Sequence, residues 1–194
     1  MTWSLDPHHT TVSFSAKHLG VATVRGRFTK VDAEIDLDDP EDPTTGSGTV
    51  TIDAASITTD NEQRDGHLRS PDFLDVEAHP RISFAVKSVE RAGGDYKVTG
   101  DLTIKGISHE IALDYEHSGA VTDPYGNKKV GGTLTGTVDR TEWDLKWNVP
   151  LGGGGLLVSE KIKLEIDGEL AEDKEAVAES AEGEKESAEA HTTA

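Results

Sequence analysis

The chain has 194 residues, 34% hydrophobic and 5% aromatic, with no cysteine and a formal net charge of −18. Disulfides, thiolate metal sites and cysteine nucleophiles are excluded, and a field of that sign disfavours nucleic acid and anionic membrane surfaces as partners. No apolar run reaches the roughly 20 residues that a membrane-spanning helix needs.

The N-terminal MTWSLDPHHTTVSF carries neither a basic n-region nor an apolar h-region, so a cytoplasmic location is expected, with a periplasmic or secreted one as the alternative if this is a mature form. Period-two alternation then begins. Val12, Phe14 and Ala16 alternate with polar residues, as do Ala33, Ile35 and Leu37, and Val50 with Ile52. After an interruption come Ile82, Phe84 and Val86, then Val98, Gly100, Leu102 and Ile104, then Ile111, Leu113 and Tyr115. Leu134, Gly136 and Val138 follow, and Ile162, Leu164 and Ile166 close the series. Turn-forming clusters separate these runs, at Asp38–Gly48, Ala92–Asp95, Lys105–Ser108 and Asp123–Asn127. The pattern predicts about eight antiparallel strands, each apolar on one face, which closes into a barrel or folds into a sandwich. Ala16, Ala33, Gly100, Gly132 and Gly136 fall near inward phases and are expected to leave space inside.

The interruption is DNEQRDGHLRSPDF, Asp60–Phe73. Asp60 and Gln63 have capping-box spacing, and Pro71 stops a helix, so a short helix over about 61–69 is predicted. Asp65 and Arg69 are spaced for an ion pair. Read as chemistry, Asp65, His67 and Ser70 would be a hydrolytic site, but helical spacing points Asp65 and His67 in different directions, and no nucleophile elbow is present. The helix is therefore read as a cap on one end of the barrel. TEWDLKWNVP is read as a strand with Trp143 and Trp147 on one face. LGGGGLL, Leu151–Leu157, lacks the following Lys-Ser/Thr of a phosphate loop and reads as a long turn. His8, His9 and His18 lack metal-ligand spacing, so no metal is expected. Residues 171–194 form an acidic, low-complexity tail with a net charge of −6, expected to be disordered, after a folded domain over 1–170.

Several of these motifs resemble the YceI-like family. The opening Trp3-x-Leu5-Asp6-Pro7-x-His9 with Val12 and Phe14 is similar to its N-terminus. The run Asn61–Phe73 resembles the family's N-E-x-R-D-x-H-L-x-S-x-D-F signature. His79-Pro80 and Gly100–Gly106 also match, and Arg140 with Trp143 resembles its R-x-x-W segment. The resemblance implies an all-β fold: an eight-stranded antiparallel lipocalin-like barrel with the helix near its mouth. It also implies non-enzymatic binding of a long-chain amphiphile such as a polyisoprenoid or isoprenoid quinone, with no cofactor. Phase then assigns the apolar wall to Phe14, Phe28, Ile82, Phe84, Leu102, Ile104, Leu134 and Trp143, and the helix is expected to place Arg64, Asp65 and His67 at the polar mouth. The alternative is an enzyme acting on a small or lipidic substrate through Asp65 and His67. Homodimer formation is left open.

Overall fold

Alternating burial along the chain becomes a continuous antiparallel meander in the computed structural model, which describes residues 1–173. The strands are β1 (Thr2–Leu5), β2 (Thr11–His18), β3 (Ala22–Phe28), β4 (Val31–Asp36), β5 (Ser47–Asp53) and β6 (Ile57–Thr58). After the helix α1 (Glu62–Arg69) come β7 (Arg81–Ala92), β8 (Asp95–Ile104), β9 (Ile107–Thr122), β10 (Lys128–Asp139) and β11 (Val158–Glu172). The disorder expected for the tail concerns residues that, from 174 on, lie outside the described ones. The closing strand itself runs two residues past the expected boundary at Leu170.

These segments make a closed eight-stranded barrel, because three of its staves are broken. β1 continues as β2, β3 as β4, and β5 as β6. β1 pairs with β4 (Trp3 opposite Ile35) while β2 pairs with β3 (Phe14 opposite Gly26). β11 closes the ring by pairing with both halves of the first stave, Leu170 opposite Leu5 and Ile166 opposite Val12. The first break carries Pro7, which cannot donate to a ladder. At the second, the N–H groups of Thr29 and Lys30 donate to Ser56 Oγ at 3.2 and 3.1 Å. Orphaned backbone donors are thus paired by a side chain from the third break. Full closure leaves no free sheet edge along most of the wall.

A buried tryptophan packs near each end of the barrel. At one end Trp3, 0% exposed, packs on Leu37 and Val130 and donates its indole N–H to Leu37 O at 3.0 Å. At the other, Trp143, also 0% exposed, packs with Ile57, Leu74, Leu102 and Leu145. Its N–H donates to Leu102 O at 3.0 Å. Each tryptophan brings a large apolar area and finds a partner for its one polar atom.

Three local expectations are corrected. Asn61, not Asp60, caps α1, its Oδ1 accepting from Arg64 N at 3.0 Å. Asp60 sits at φ 56° and turns its carboxylate to Arg27 instead. Asp65 and Arg69 make no direct ion pair. Arg69 donates to Ala55 O and Ile57 O at 2.8 and 2.7 Å. Those carbonyls border the short strand β6, whose ladder with β3 spans only Ile57 and Thr58, and they need donors more than Asp65 does. Trp143 and Trp147 do not share a strand. Residues Arg140–Trp143 form a 3-10 turn capped by the Asp139 carboxylate, and Asp144 takes a left-handed conformation at φ 59°. The glycine-rich stretch is a closed loop, bridged between Pro150 and Leu156.

Candidate ligand-binding cavity

The inward faces enclose a cavity of about 660 Å³ between the middle of the barrel and the end covered by α1. That volume lies within the range of roughly 300–1,000 Å³ seen for ligand pockets. All eight residues assigned to the apolar wall by phase line it: Phe14, Phe28, Ile82, Phe84, Leu102, Ile104, Leu134 and Trp143. Alternation suffices here because each stave presents every second residue to the interior. The expected source of the space is different. Of the small inward residues, Ala16 lines the cavity. Gly100, Gly132 and Gly136 instead seat neighbouring side chains. A Cβ at Gly100 would lie 2.7 Å from the Phe84 ring, and one at Gly132 would lie 2.4 Å from the Tyr115 ring. At Gly136 it would meet Leu113 Cδ2 at 2.4 Å.

Below the cavity, towards Trp3, Tyr96, Tyr115 and His117 form an aromatic layer with ring centroids 5.8 to 6.1 Å apart. Tyr115 Oη and His117 Nδ1 share a hydrogen bond of 3.1 Å. Burial pushes the Tyr115 hydroxyl up to about 12, so the layer keeps this group neutral.

The mouth is built by α1, the end of β2 and the segment after Trp143. Arg64 and His67 line it. Arg64 lies along Thr59, donating from Nε to Thr59 Oγ1 at 2.7 Å and from Nη2 to Thr59 O at 3.0 Å. His67 Nε2 is 2.9 Å from Asp72 Oδ2. The imidazole stands edge-on to Phe73 and to Trp147, at centroid distances of 5.0 and 4.6 Å. Asp65 does not line the cavity. It is 5% exposed and accepts from Thr59 N, Thr59 Oγ1 and Thr58 Oγ1 at 2.8, 2.5 and 3.0 Å. Its neighbour in the helix faces the mouth while Asp65 faces the barrel wall, as i, i+1 positions on a helix must diverge.

Several lining residues escape a reading by strand phase: His18, Asn61, Gln63, Trp147, Leu157 and Arg140. Arg140 is the most unusual. It is 5% exposed and donates to the carbonyls of Ser159, Leu145 and Val158. Its guanidinium carbon lies 5.9 Å from the centroid of Phe73. Burial pulls its pKa below the ordinary arginine value, with the nearby charges of Glu160 and Asp139 acting against that shift. Its R-x-x-W spacing with Trp143 was the available signal, because both side chains leave one 3-10 turn towards the same end of the barrel.

A second polar cluster lies away from the mouth. Asp6, His9 and Glu169 bring their ligating atoms within 4.8 Å of one another. Lys129 Nζ donates to Asp6 and Glu169 there, at 3.2 and 2.5 Å. This ammonium ties the break between β1 and β2 to β10 and β11.

Residues 3–170 match the YceI-like domain. The chain belongs to this family. A UPF0312 protein of Staphylococcus epidermidis is 36% identical over 172 residues, covering 88% of this chain and 98% of the relative. Among solved structures, the YceI protein of Campylobacter jejuni is 32% identical with a TM-score of 0.68, covering 81% of this chain and 90% of that one. A domain from Saccharophagus degradans, described as polyisoprenoid binding and implicated in plant cell wall breakdown, has a TM-score of 0.62 at 16% identity, covering 87% and 97%. At that identity the likeness shows the fold alone. The YceI-like barrel thus extends over the strands and the helix described above, and the signature run Asn61–Phe73 supplies α1 together with Phe73 at the mouth.

Proposed function

We propose that this YceI-like chain binds, without catalysis, the long apolar chain of an amphiphile such as a polyisoprenoid or isoprenoid quinone. The observation that carries the reading is the 660 Å³ cavity, walled by aliphatic and aromatic side chains from staves all round the barrel. Transfer of each CH₂ group from water to such a wall contributes roughly 0.8 kcal/mol. A chain of many carbons therefore offsets its ordering cost without directional contacts. The polyisoprenoid-binding description of the Saccharophagus degradans domain, which shares the fold, supports the same ligand class.

The groups that would serve an enzyme are engaged in holding the helix. Asp65 is taken up by Thr58 and Thr59. The Ser70 hydroxyl donates to the His67 carbonyl at 2.7 Å, away from any imidazole nitrogen. A general base needs its nucleophile within hydrogen-bond reach, and His67 and Ser70 make no such pairing with each other.

Organic extraction of the purified full chain, followed by mass spectrometry, tests the proposal alongside titration with an isoprenoid quinone. A co-purifying long-chain amphiphile and saturable quinone binding are expected. Extraction of no such molecule, together with no binding in the titration, would overturn it.

A further inference from the structure

We propose that the amphiphile ends in an anion, a carboxylate or a phosphate monoester, and that this end is held at the mouth by Arg64. The inference rests on the reading of the cavity as a chain-binding site. It comes from a mismatch between the cavity and the rest of the molecule. The chain carries 37 acidic residues against 19 basic ones, yet no aspartate or glutamate lines the cavity, whereas Lys17, Arg64 and Arg140 do. His18 and His67 complete its titratable groups.

Three acids of the mouth segment are turned to other donors, and Glu62, exposed in the first turn of α1, does not line the cavity. Asp60 faces Arg27, Asp65 faces Thr58 and Thr59, and Asp72 faces His67. The cations are treated differently. Arg64 makes no ion pair among the described residues, and its contacts with Thr59 use Nε and Nη2 only. Nη1 is left for a ligand, on a side chain that is exposed at the rim. Lys17 does not compete for this role, because its ammonium donates to the Thr23 hydroxyl of the neighbouring strand at 2.8 Å.

Arg140 supplies the second, independent observation. A guanidinium that is 5% exposed donates to three carbonyls and directly pairs with no carboxylate among the described residues, Glu160 and Asp139 acting on it only through their charge. Burying a cation without a directly paired counter-charge is costly. A neutral head group would leave that cost in place, whereas an anion at the adjacent mouth reduces it. An anionic end docked on Nη1 of Arg64 also gains a charge-assisted hydrogen bond, about twice as strong as a neutral one. Tyr115 and His117, in the layer below the cavity, do not line it.

The test compares three ligands of equal chain length on the full-length protein: tetradecanoic acid, tetradecyl phosphate and tetradecanol, each below its micelle concentration. Tryptophan emission reports binding. At low salt at least one anion is expected to bind about tenfold more tightly than the alcohol, and the ratio is expected to shrink as salt is raised. The anion that shows the preference identifies the source of the charge. R64Q is expected to bring the anion-to-alcohol ratio close to one, and R64K to keep part of it, with melting curves showing both variants folded. Equal binding of all three, or a preference for the alcohol, overturns the anionic end while leaving chain binding intact. A preference that survives in R64Q removes Arg64 from the role. Failure of all three ligands to bind counts against the chain-binding function itself.

Discussion

Asp65 and Thr59 are joined twice, the carboxylate accepting from the Thr59 N–H at 2.8 Å and from its hydroxyl at 2.5 Å. Burial alone pushes the Asp65 carboxyl up. The Thr59 and Thr58 bonds and the charge of Arg69 together outweigh it, so the folded group is more acidic than an ordinary aspartate. Its contribution to stability is therefore complete above the unfolded pKa of about 3.9 and is lost as pH falls through its own lower value. D65N keeps the shape but removes the charge, and is expected to cost about 2–3 kcal/mol at neutral pH. As pH falls below the unfolded value of about 3.9, the difference from the parent should narrow. Urea unfolding at neutral pH and in this acid range checks this. Equal stability of parent and D65N at neutral pH would show that the pair does not anchor α1.

Trp143 is bound to Leu102 across the end of the barrel in the same structural sense. Its indole is fully buried, and its N–H satisfies a carbonyl that water does not reach. W143F removes part of the ring and the donor together. The expected loss is about 2–4 kcal/mol, from the cavity left behind and the unpaired Leu102 oxygen. The denaturation midpoint should fall with an unchanged denaturant slope. A loss under about 0.5 kcal/mol would mean that the site relaxes around the smaller ring.

These two residues also mark what the sequence makes legible. Where burial follows period two, as at Phe84, Leu102 and Leu134, phase alone gives the inward set, because the backbone pleat leaves no other choice. The breaks in three staves are invisible to that reading. Val24 and Phe28 of β3 alternate through Arg25, Gly26 and Arg27, a run with too few apolar residues to stand out. Trp143 was assignable to the wall, but not the 3-10 turn that carries it, because its spacing from Trp147 fits a strand as well as a turn. The orientation of Asp65 depends on contacts with Thr58 and Thr59. Such contacts are tertiary details with no periodic signature. The glycines misled for a physical reason: a missing Cβ makes room, but a neighbouring side chain takes that room before a ligand can.

Ala16 offers a direct way to occupy the lumen. It lines the cavity and lies opposite Val24 and Ile162 in the two neighbouring strands. A16W would project an indole into open apolar space, whereas the same change in a close-packed core typically costs 1–3 kcal/mol, a figure of about that order for overpacking. The variant is expected to keep a melting temperature near that of the parent and to lose chain binding by about tenfold or more. Unchanged affinity in a folded A16W protein would place the ligand outside the barrel.

Trp147 should report the ligand. Of the three tryptophans, Trp3 lies at the far end, bound to Leu37 and away from the cavity. Trp143 lines the cavity but is already fully buried. Trp147 is partly buried at the mouth, tilted on Phe73 at 5.4 Å and edge-on to His67 at 4.6 Å. A chain entering past α1 exchanges water for hydrocarbon at that ring while leaving the surroundings of the other two nearly as they were. Ligand addition is therefore expected to shift the emission to shorter wavelength and to protect it from acrylamide. W147F should remove most of the shift, and W3F should leave it in place. A full shift retained in W147F would mean that the ligand enters by another route than the gap between α1 and the segment after Trp143.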